Sequence, residues 1–307
     1  MNIVLFGGGL QVLSISRSLN EKGYSVDVIG THNEISRKCN FVNRCILIDI
    51  DRLDINAFIT LVQKGKYSVI IPMEDKYATW LSLHKKEVEC STSAKCAVMD
   101  YDIYALASNK TELMSFCKKH DIPHPKTEII NNNFEELASR IDFPSLIKPS
   151  HSEGARGITL VNNLTELRSY SKRIIEEYGE CTLQEYIAIK SYYYNAMLYR
   201  NAEGKYGNYT ITKILRYYPI KGGSSSFCVS IENDKILNIC KKTLDKLNWI
   251  GFADFDILEK EDGDYHIIEI NPRIPASIHA SAISGVNFGE MIVKDLVEGI
   301  LPQYNYT

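Results

Sequence analysis

Strand and helix patterns alternate through the N-terminal part of the sequence, and this alternation constrains the fold more than any other feature. The apolar runs typical of short buried strands lie at residues 3–6, 26–29, 45–48 and 69–71. Helical patterns lie at residues 10–22, where Gly23 follows as a stop, and at residues 53–64. Strands and helices that alternate in this way build a parallel sheet with covering helices. We therefore predict an α/β fold.

A triple glycine, Gly7-Gly8-Gly9, follows the first predicted strand. A dinucleotide-binding fingerprint would need glycine or alanine where this chain has Val12. The second strand is followed by Gly30, Thr31 and His32, so no acidic residue is placed to bind a ribose. We favour a tight turn beside a substrate cleft and keep a nicotinamide-dependent oxidoreductase as an alternative.

Length and composition narrow the class of protein. The chain has 307 residues, about twice a typical domain, so we expect two or three packed units. Its net charge is -3 and it has no dense basic stretch, which argues against nucleic acid as a partner. No apolar run is long enough to span a bilayer. The eight cysteines form neither a CxxC pair nor a zinc-type cluster, so we expect free thiols and a cytoplasmic protein.

A lysine at the end of an apolar strand precedes a loop of small residues. Lys148 ends the strand, and the loop at residues 150–157 contains Gly154 and Gly157. A lysine anchored on a strand is well placed to bind a phosphate, and the backbone N–H groups of such a loop can close over the same ligand. Taken alone, the pattern also fits an ordinary hairpin with a lysine at its mouth.

Acidic and amide side chains interrupt a predicted hairpin of two apolar strands, at residues 251–257 and 265–271. Glu269 and Asn271 share one face of their strand because they are two residues apart, and Asp256 on the partner strand can point to the same side. Oxygen ligands on one face suit Mg²⁺ that is held jointly by protein and triphosphate. We favour this over a solvated face, because unpaired carboxylates are costly in an apolar hairpin.

Two further segments carry weaker patterns. Lys110 falls in the first turn of a helix that Asn109 is predicted to cap, where unpaired N–H groups and the helix dipole favour anions. Gln184 and Glu185 form a polar pair within an apolar strand, and Glu185 is a candidate acceptor for an adenine amino group. Each feature alone also fits a solvated helix or an edge strand.

These segments occur in the order and spacing of the ATP-grasp superfamily, which the chain resembles over essentially its whole length. The most specific match is Glu-Ile-Asn-Pro-Arg at 269–273, and the next is Ile-Lys-Pro at 147–149 with the glycines that follow. The resemblance implies an N-terminal Rossmann-like (pre-ATP-grasp) domain at residues 1–108, followed by a two-subdomain ATP-grasp fold. Its lid subdomain would span residues 109–187 and its metal and substrate subdomain residues 188–307.

The resemblance also implies a role for each matching position. The residues implied to bind ATP are Lys110, Lys148, Ser152, Glu153, Gly154, Gly157, Gln184, Glu185, Tyr186, Ile187 and Ser191. Those implied to hold Mg²⁺, or Mn²⁺ in its place, are Asp256, Glu269 and Asn271. The residues implied to be catalytic are Arg273 at the acyl phosphate or the substrate carboxylate, Lys148 at the phosphates, and Lys213 near the γ-phosphate or the substrate.

The implied activity is ligation of a small-molecule carboxylate to an amine through an acyl phosphate, by a protein of a kind that often forms homodimers. One position departs from the family pattern, because Ser191 stands where relatives carry a ribose-binding glutamate. This departure motivates one alternative, a non-catalytic ATP-binding regulator. The other is an enzyme similar to carboxylases and carbamoyl-phosphate synthases that phosphorylates bicarbonate.

Overall fold

A computed structural model describes residues 1–30, 34–151, 156–188, 193–218 and 224–306. Ser152, Glu153, Gly154 and Ser191, which are predicted to bind ATP, lie outside the described residues. Three sheets organise the described chain, one of them parallel and two antiparallel. The α/β class predicted from the alternating patterns is confirmed.

The first sheet is parallel and has the strand order β3-β2-β1-β4-β5. Its strands are β1 Asn2–Phe6, β2 Ser25–Gly30, β3 Arg44–Leu47, β4 Tyr67–Pro72 and β5 Lys95–Cys96. The order reverses between β1 and β4, so the loops after these two strands border the crevice at the carboxyl edge of the sheet, where α/β proteins bind ligands. All four strands expected from the apolar runs are present.

Helices cover both faces of this sheet. They are α1 Gln11–Asn20, α2 Glu34–Arg37, α3 Ile55–Gly65, α4 Asp75–Ser91 and α5 Tyr101–Ser108. The apolar patterns of the sequence predict α1 and α3 but not α4, whose sequence mixes buried Tyr77, Ala78 and Leu81 with many polar residues. The N-terminus of α4 lies directly after β4, at the carboxyl edge of the sheet.

The second sheet is antiparallel, with the strand order β6-β9-β7-β8. Its strands are β6 Thr127–Ile129, β7 Ser145–Pro149, β8 Thr159–Val161 and β9 Cys181–Glu185. The helices α7 Phe134–Arg140 and α8 Leu164–Tyr178 pack on one side and close a separate small core. Asn133 and Asn163 cap these helices by accepting from N–H groups three residues on.

The third sheet is antiparallel, with the order β12-β11-β10-β13-β14. Its strands are β10 Tyr193–Arg200, β11 Thr210–Tyr218, β12 Ser224–Ile231, β13 Gly251–Glu259 and β14 Tyr265–Asn271. One face packs against the amphipathic helix α9 Asp234–Lys246 and against α6 Lys110–Lys119. The opposite face carries the polar residues described below.

The last helices, α10 Ile278–Ile283 and α11 Phe288–Glu298, pack back against α1 and β4 of the first sheet. Phe288, Met291 and Ile292 belong to the same buried cluster as Ile3 and Val12. Each of the three predicted segments therefore contains one sheet. Some helices pack on the sheet of a different segment, so the proposed boundaries stay predictions. Within the described residues, no helix is long and apolar enough to cross a membrane.

Candidate active site

A row of polar side chains crosses one face of the third sheet. Asp256 on β13 pairs with Glu269 on β14 and with Asn195 on β10, so the three residues are direct neighbours on that face. One row further along, Asp254 pairs with Asn271. The expectation that Asp256, Glu269 and Asn271 share one face is confirmed by this register. Asp254 was missed, although its spacing of two residues from Asp256 would have indicated it.

The carboxylates of this row are held close together and away from water. Burial, and then the neighbouring Glu269, raises the pKa of Asp256 to about 6. The pKa of Asp254 lies well above its ordinary value because the residue is buried and faces Asp256. Asp254 Oδ1 has no hydrogen-bond partner among the described residues. Clustered acids of this kind are typical of sites that bind a cation.

Two lysines face these acids across a cleft, which lies between the third sheet and the elements α6 and β7 that carry the lysines. Lys110 is the first residue of α6, and its Nζ lies 3.2 Å from Glu269 Oε1. Asn109 caps α6 by accepting from the N–H groups of Thr111 and Glu112, as predicted. Lys148, on β7, is 7% exposed, and burial lowers its pKa to about 8 although Glu269 opposes the shift. The structure thus brings both predicted phosphate-binding lysines to the carboxylate row.

Arg273 follows β14 and lies beside the same row. Its Nη2 donates to Asn271 Oδ1 at 3.1 Å, and its Nε lies 3.2 Å from Asp75 Oδ1. Burial lowers the pKa of Arg273, but Asp75 and the acids of the row outweigh burial and raise it overall. Asp75 was not among the predicted residues.

The predicted adenine segment lies at the end of β9. Gln184 is buried and donates to Thr127 Oγ1 at 2.9 Å. Glu185 was expected to accept from adenine, but its two carboxylate oxygens accept from Lys260 Nζ and from the Lys126 N–H, at 2.9 and 3.1 Å. The backbone of Tyr186 and Ile187 makes no hydrogen bond within the described part of the chain. Those peptide groups are consequently available to a ligand.

Gly157 lies in the described part of the predicted lid loop, and its conformation is given by the structure. Its φ is +73°, and a Cβ at this position would lie 2.7 Å from the Pro149 ring and 3.0 Å from the Tyr178 ring. A side chain is therefore excluded here both by the left-handed backbone and by the two rings. The lid function itself stays a prediction.

Lys213 lies apart from the predicted set. It pairs with Tyr194 on β10, whereas its neighbour Thr212 pairs with Asn195. Because directly opposed residues share a face, Lys213 projects to the face opposite Asn195 and Asp256. The alternation of the strand therefore places Thr212, and not Lys213, on the face that carries the acids.

The triple glycine forms a tight turn, as expected, with φ of +106° at Gly7 and +91° at Gly9. The Gly8 N–H donates to Glu74 Oε1 at 2.6 Å, so a carboxylate of the chain itself occupies the donor that a phosphate would need. Gln11 donates to the Met73 carbonyl and ties the same two loops together. These bonds disfavour a dinucleotide phosphate at this turn.

The oxygen atoms of this row can supply some, but not all, of the ligands that a magnesium ion needs. Asp256 and Glu269 supply two neighbouring carboxylates, and the amide oxygen of Asn271 keeps one lone pair beyond the bond from Arg273. Among the described residues, no group of three or more His, Cys, Asp or Glu side chains could hold a metal ion. Phosphate oxygens would complete the coordination, as is usual for Mg²⁺ at nucleotide sites.

Comparison with known families identifies this arrangement. The ATP-grasp domain model matches residues 107–277, which is more than half of the chain. The chain therefore belongs to the ATP-grasp family, and the predicted superfamily is confirmed. The match covers both lysines, the acids of the row and Arg273, while Asp75 lies outside it.

The similarity to known proteins extends over nearly the entire chain. A D-aspartate ligase of Enterococcus faecium (strain Aus0004) is 25% identical over 326 aligned residues, which cover 96% of this chain and 76% of the relative. The ADP complex of N5-carboxyaminoimidazole ribonucleotide synthetase superposes with a TM-score of 0.78 at 15% identity, covering 100% of this chain and 78% of that one. A biotin carboxylase from Campylobacter jejuni gives 0.79 at 16% identity, covering 98% and 72%. These structural likenesses confirm the predicted fold.

Proposed function

We propose that this chain is an ATP-dependent ligase that activates a carboxylate as an acyl phosphate and transfers it to an amine, releasing ADP and phosphate. The observation that carries the proposal is the meeting of Lys110 and Lys148 with the row of Asp256 and Glu269 at one cleft between two sheets. Membership of the ATP-grasp family and similarity to a protein named D-aspartate ligase support it. An amino acid is accordingly our first candidate substrate.

In the first step, a carboxylate oxygen of the substrate attacks the γ-phosphorus of ATP, and the bond to the β-phosphate oxygen breaks. Bound Mg²⁺ would neutralise charge on the phosphate oxygens. Lys110 and Lys148 reach the phosphates from the opposite side of the cleft, and Arg273 holds the substrate carboxylate in line. Asp256, Glu269 and Asn271 are the residues that would hold the metal.

In the second step, the amine nitrogen attacks the acyl carbon, phosphate leaves, and the amine loses a proton. Water would hydrolyse the acyl phosphate, so the cleft must close around it. We propose the segment between β7 and β8 as the cover that closes the cleft, because it follows Lys148 in the sequence and contains Gly157. The substrate carboxylate and the amine are the nucleophiles, so neither step requires a nucleophilic side chain of the protein.

The test is release of ADP and phosphate from Mg·ATP across a matrix of amino acids, other carboxylates, bicarbonate and amines. Lys148→Ala and Glu269→Ala should abolish substrate-dependent release. Lys205→Ala and Glu203→Ala remove an exposed ion pair on the surface and should leave it unchanged. Formation of AMP and pyrophosphate would contradict the mechanism. Release driven by bicarbonate alone would favour the carboxylase-like alternative, and nucleotide binding without release would favour the regulator.

Two further properties belong to the same proposal. We infer a reducing compartment, the cytoplasm, because none of the eight cysteines forms a disulfide. We also infer a homodimer, since the biotin carboxylase domain of 2-oxoglutarate carboxylase from Hydrogenobacter thermophilus, which has a TM-score of 0.77 with this chain, is a dimer. Light scattering on the purified chain tests the second inference, and a monomer would refute it.

A further inference from the structure

Arg273 is held by a carboxylate from a distant part of the chain. Asp75 is the first residue of α4, in the Rossmann-like part, and its Oδ1 and Oδ2 lie 3.2 and 3.3 Å from Arg273 Nε. We propose that Asp75 is a positioning residue that fixes the Arg273 guanidinium for the substrate carboxylate and keeps it off the metal-binding acids. This inference rests on the proposed function and adds a residue from outside the matched family domain to the site.

The contacts of Arg273 leave one end of its guanidinium available. Nε is taken by Asp75, and Nη2 donates to Asn271 Oδ1. Nη1 has no hydrogen-bond partner among the described residues, and the Arg273 side chain is 21% exposed. Because the guanidinium is planar and rigid, fixing Nε and Nη2 fixes the direction of both Nη1 N–H bonds. These donors are suited to a carboxylate that enters the cleft.

Without an anchor, Arg273 would have strong competing partners. Asp254, Asp256 and Glu269 all act on its charge, together with Asp75. A long side chain with a permanent positive charge would turn toward whichever of these carboxylates it could reach. It would then occupy oxygens that a divalent cation needs. Asp75 binds the Nε edge of Arg273 and so prevents the guanidinium from turning toward the metal-binding acids.

Asp75 is itself rigidly placed. Its backbone carbonyl accepts from Thr79 Oγ1 at 2.9 Å and from the Tyr104 hydroxyl at 3.1 Å. Tyr104 is buried between α4 and the rest of the core. The preceding residue, Glu74, is tied to the Gly8 N–H. The anchor of Arg273 is therefore fixed to the first sheet, and the site is incomplete without that part of the chain.

A plain interdomain ion pair would give the same contact, so the experiment must separate the two roles. The first readout is the Mg²⁺ concentration that half-saturates ADP binding, measured by calorimetry without turnover. Asp75→Asn should raise it about tenfold, because supporting residues of this kind typically cost 10–100-fold. Arg273→Gln should not raise it, and the double variant should match Arg273→Gln alone. Effects of Asp75→Asn and Arg273→Gln that simply multiply would overturn the proposal.

The second readout is steady-state kinetics with the carboxylate found in the matrix. Asp75→Asn should raise the KM for the carboxylate about tenfold while the KM for ATP at saturating Mg²⁺ stays unchanged. Asp75→Glu should recover most of the loss, whereas a merely structural role predicts no such selective change. Asp51→Asn removes an exposed acid that pairs with neighbouring Lys76 and serves as the control. If no carboxylate drives release in the wild type, the proposed function fails, and the Mg²⁺ cycle still decides the role of Asp75.

Discussion

The Glu185 carboxylate lies 2.9 Å from the Lys260 ammonium, and this ion pair joins β9 of the second sheet to the turn after β13 of the third. Burial alone would raise the pKa of Glu185, but Lys260 and the Lys126 N–H bring it below its usual value. Both carboxylate oxygens are engaged by these partners. Glu185 therefore joins the second sheet to the third, and we propose that the backbone of Tyr186 and Ile187 beside it binds the base.

Glu185→Ala tests which group recognises the base. If the backbone of Tyr186 and Ile187 reads the adenine edge, the ratio of ADP to GDP affinity should change by no more than about twofold, although both affinities fall as the ion pair is lost. If the Glu185 side chain accepts from the adenine amino group, the ratio should drop at least about tenfold, because the variant removes the acceptor that distinguishes adenine. Competitive binding of the two nucleotides measures the ratio, and the second result would restore the role first expected for Glu185.

The buried ammonium of Lys148 predicts a pH dependence of nucleotide binding. Its pKa of about 8 in the free protein should return toward the ordinary value when phosphate binds beside it. ADP affinity should then be independent of this group below pH 8 and fall by up to about tenfold per pH unit above it, with uptake of a proton. The same shift makes the free protein gain stability between pH 8 and about 10.5, because the unfolded chain binds a proton that the folded one lacks.

Calorimetry of Mg·ADP binding in two buffers of different ionisation enthalpy measures the proton uptake directly. Lys148→Arg is the matched variant, because arginine keeps its charge throughout this range and should give a flat profile. A wild-type profile as flat as that of Lys148→Arg would show that Lys148 stays charged in the free protein. Thermal unfolding of Lys148→Met against wild type from pH 8 to 10 checks the stability effect.

Much of the fold could be predicted because its elements are locally encoded. The apolar runs of β1, β2 and β4 and the asparagine caps of α6, α7 and α8 are periodic or short-range features. Helix α4 escaped prediction because its buried side depends on packing against the sheet and not on a regular apolar stripe. Long-range packing, which sequence periodicity does not record, also places α11 on the first sheet.

The candidate site divides in the same way. Asp256, Glu269 and Asn271 could be placed together because strand alternation and hairpin pairing fix their face. Asp75 could not be placed, since it is 198 residues from Arg273 and the contact depends on how two sheets pack. The partner of Glu185 escaped for the same reason, because Lys260 comes from a different sheet. The alternation of side chains along β11 places Lys213 on the face opposite the acids, although the family resemblance had suggested a role for it near the substrate.

Asp254 should make the free protein less stable than it could be. Its pKa is well above the ordinary value, mainly through burial, so folding is penalised as pH rises above about 4, where the unfolded carboxyl loses its proton. Asp254→Asn should therefore stabilise the metal-free protein by roughly 1–3 kcal/mol at pH 8 and by little near pH 4. Substrate-dependent ADP release should nevertheless fall about 10–100-fold, since Asn271 and Arg273 lose their charged neighbour.

Denaturant unfolding in the presence of a chelator, at pH 4 and pH 8, tests the stability claim for Asp254. Asp51→Asn, which neutralises an exposed acid, controls for the change in net charge and should change stability little at either pH. A less stable Asp254→Asn protein at pH 8 would mean that the ionised carboxylate holds the fold together. A more stable protein with undiminished turnover would remove Asp254 from the site.

The glycine turn after β1 offers a test of the packing around the crevice. Gly7 and Gly23 both have positive φ, +106° and +82°, so alanine is strained at either position. A Cβ at Gly7 would lie 2.8 Å from the Tyr77 ring, whereas nothing lies within 4 Å of a Cβ at Gly23. Tyr77 cannot easily move, because it is 2% exposed and packs edge-on against Phe6.

Gly23→Ala should cost about 1 kcal/mol of unfolding free energy, and Gly7→Ala should cost roughly 2–5 kcal/mol because overpacking adds to the strain. Urea unfolding of the two variants measures the difference, and equal costs would show that Tyr77 yields and that the crevice is looser than this packing implies.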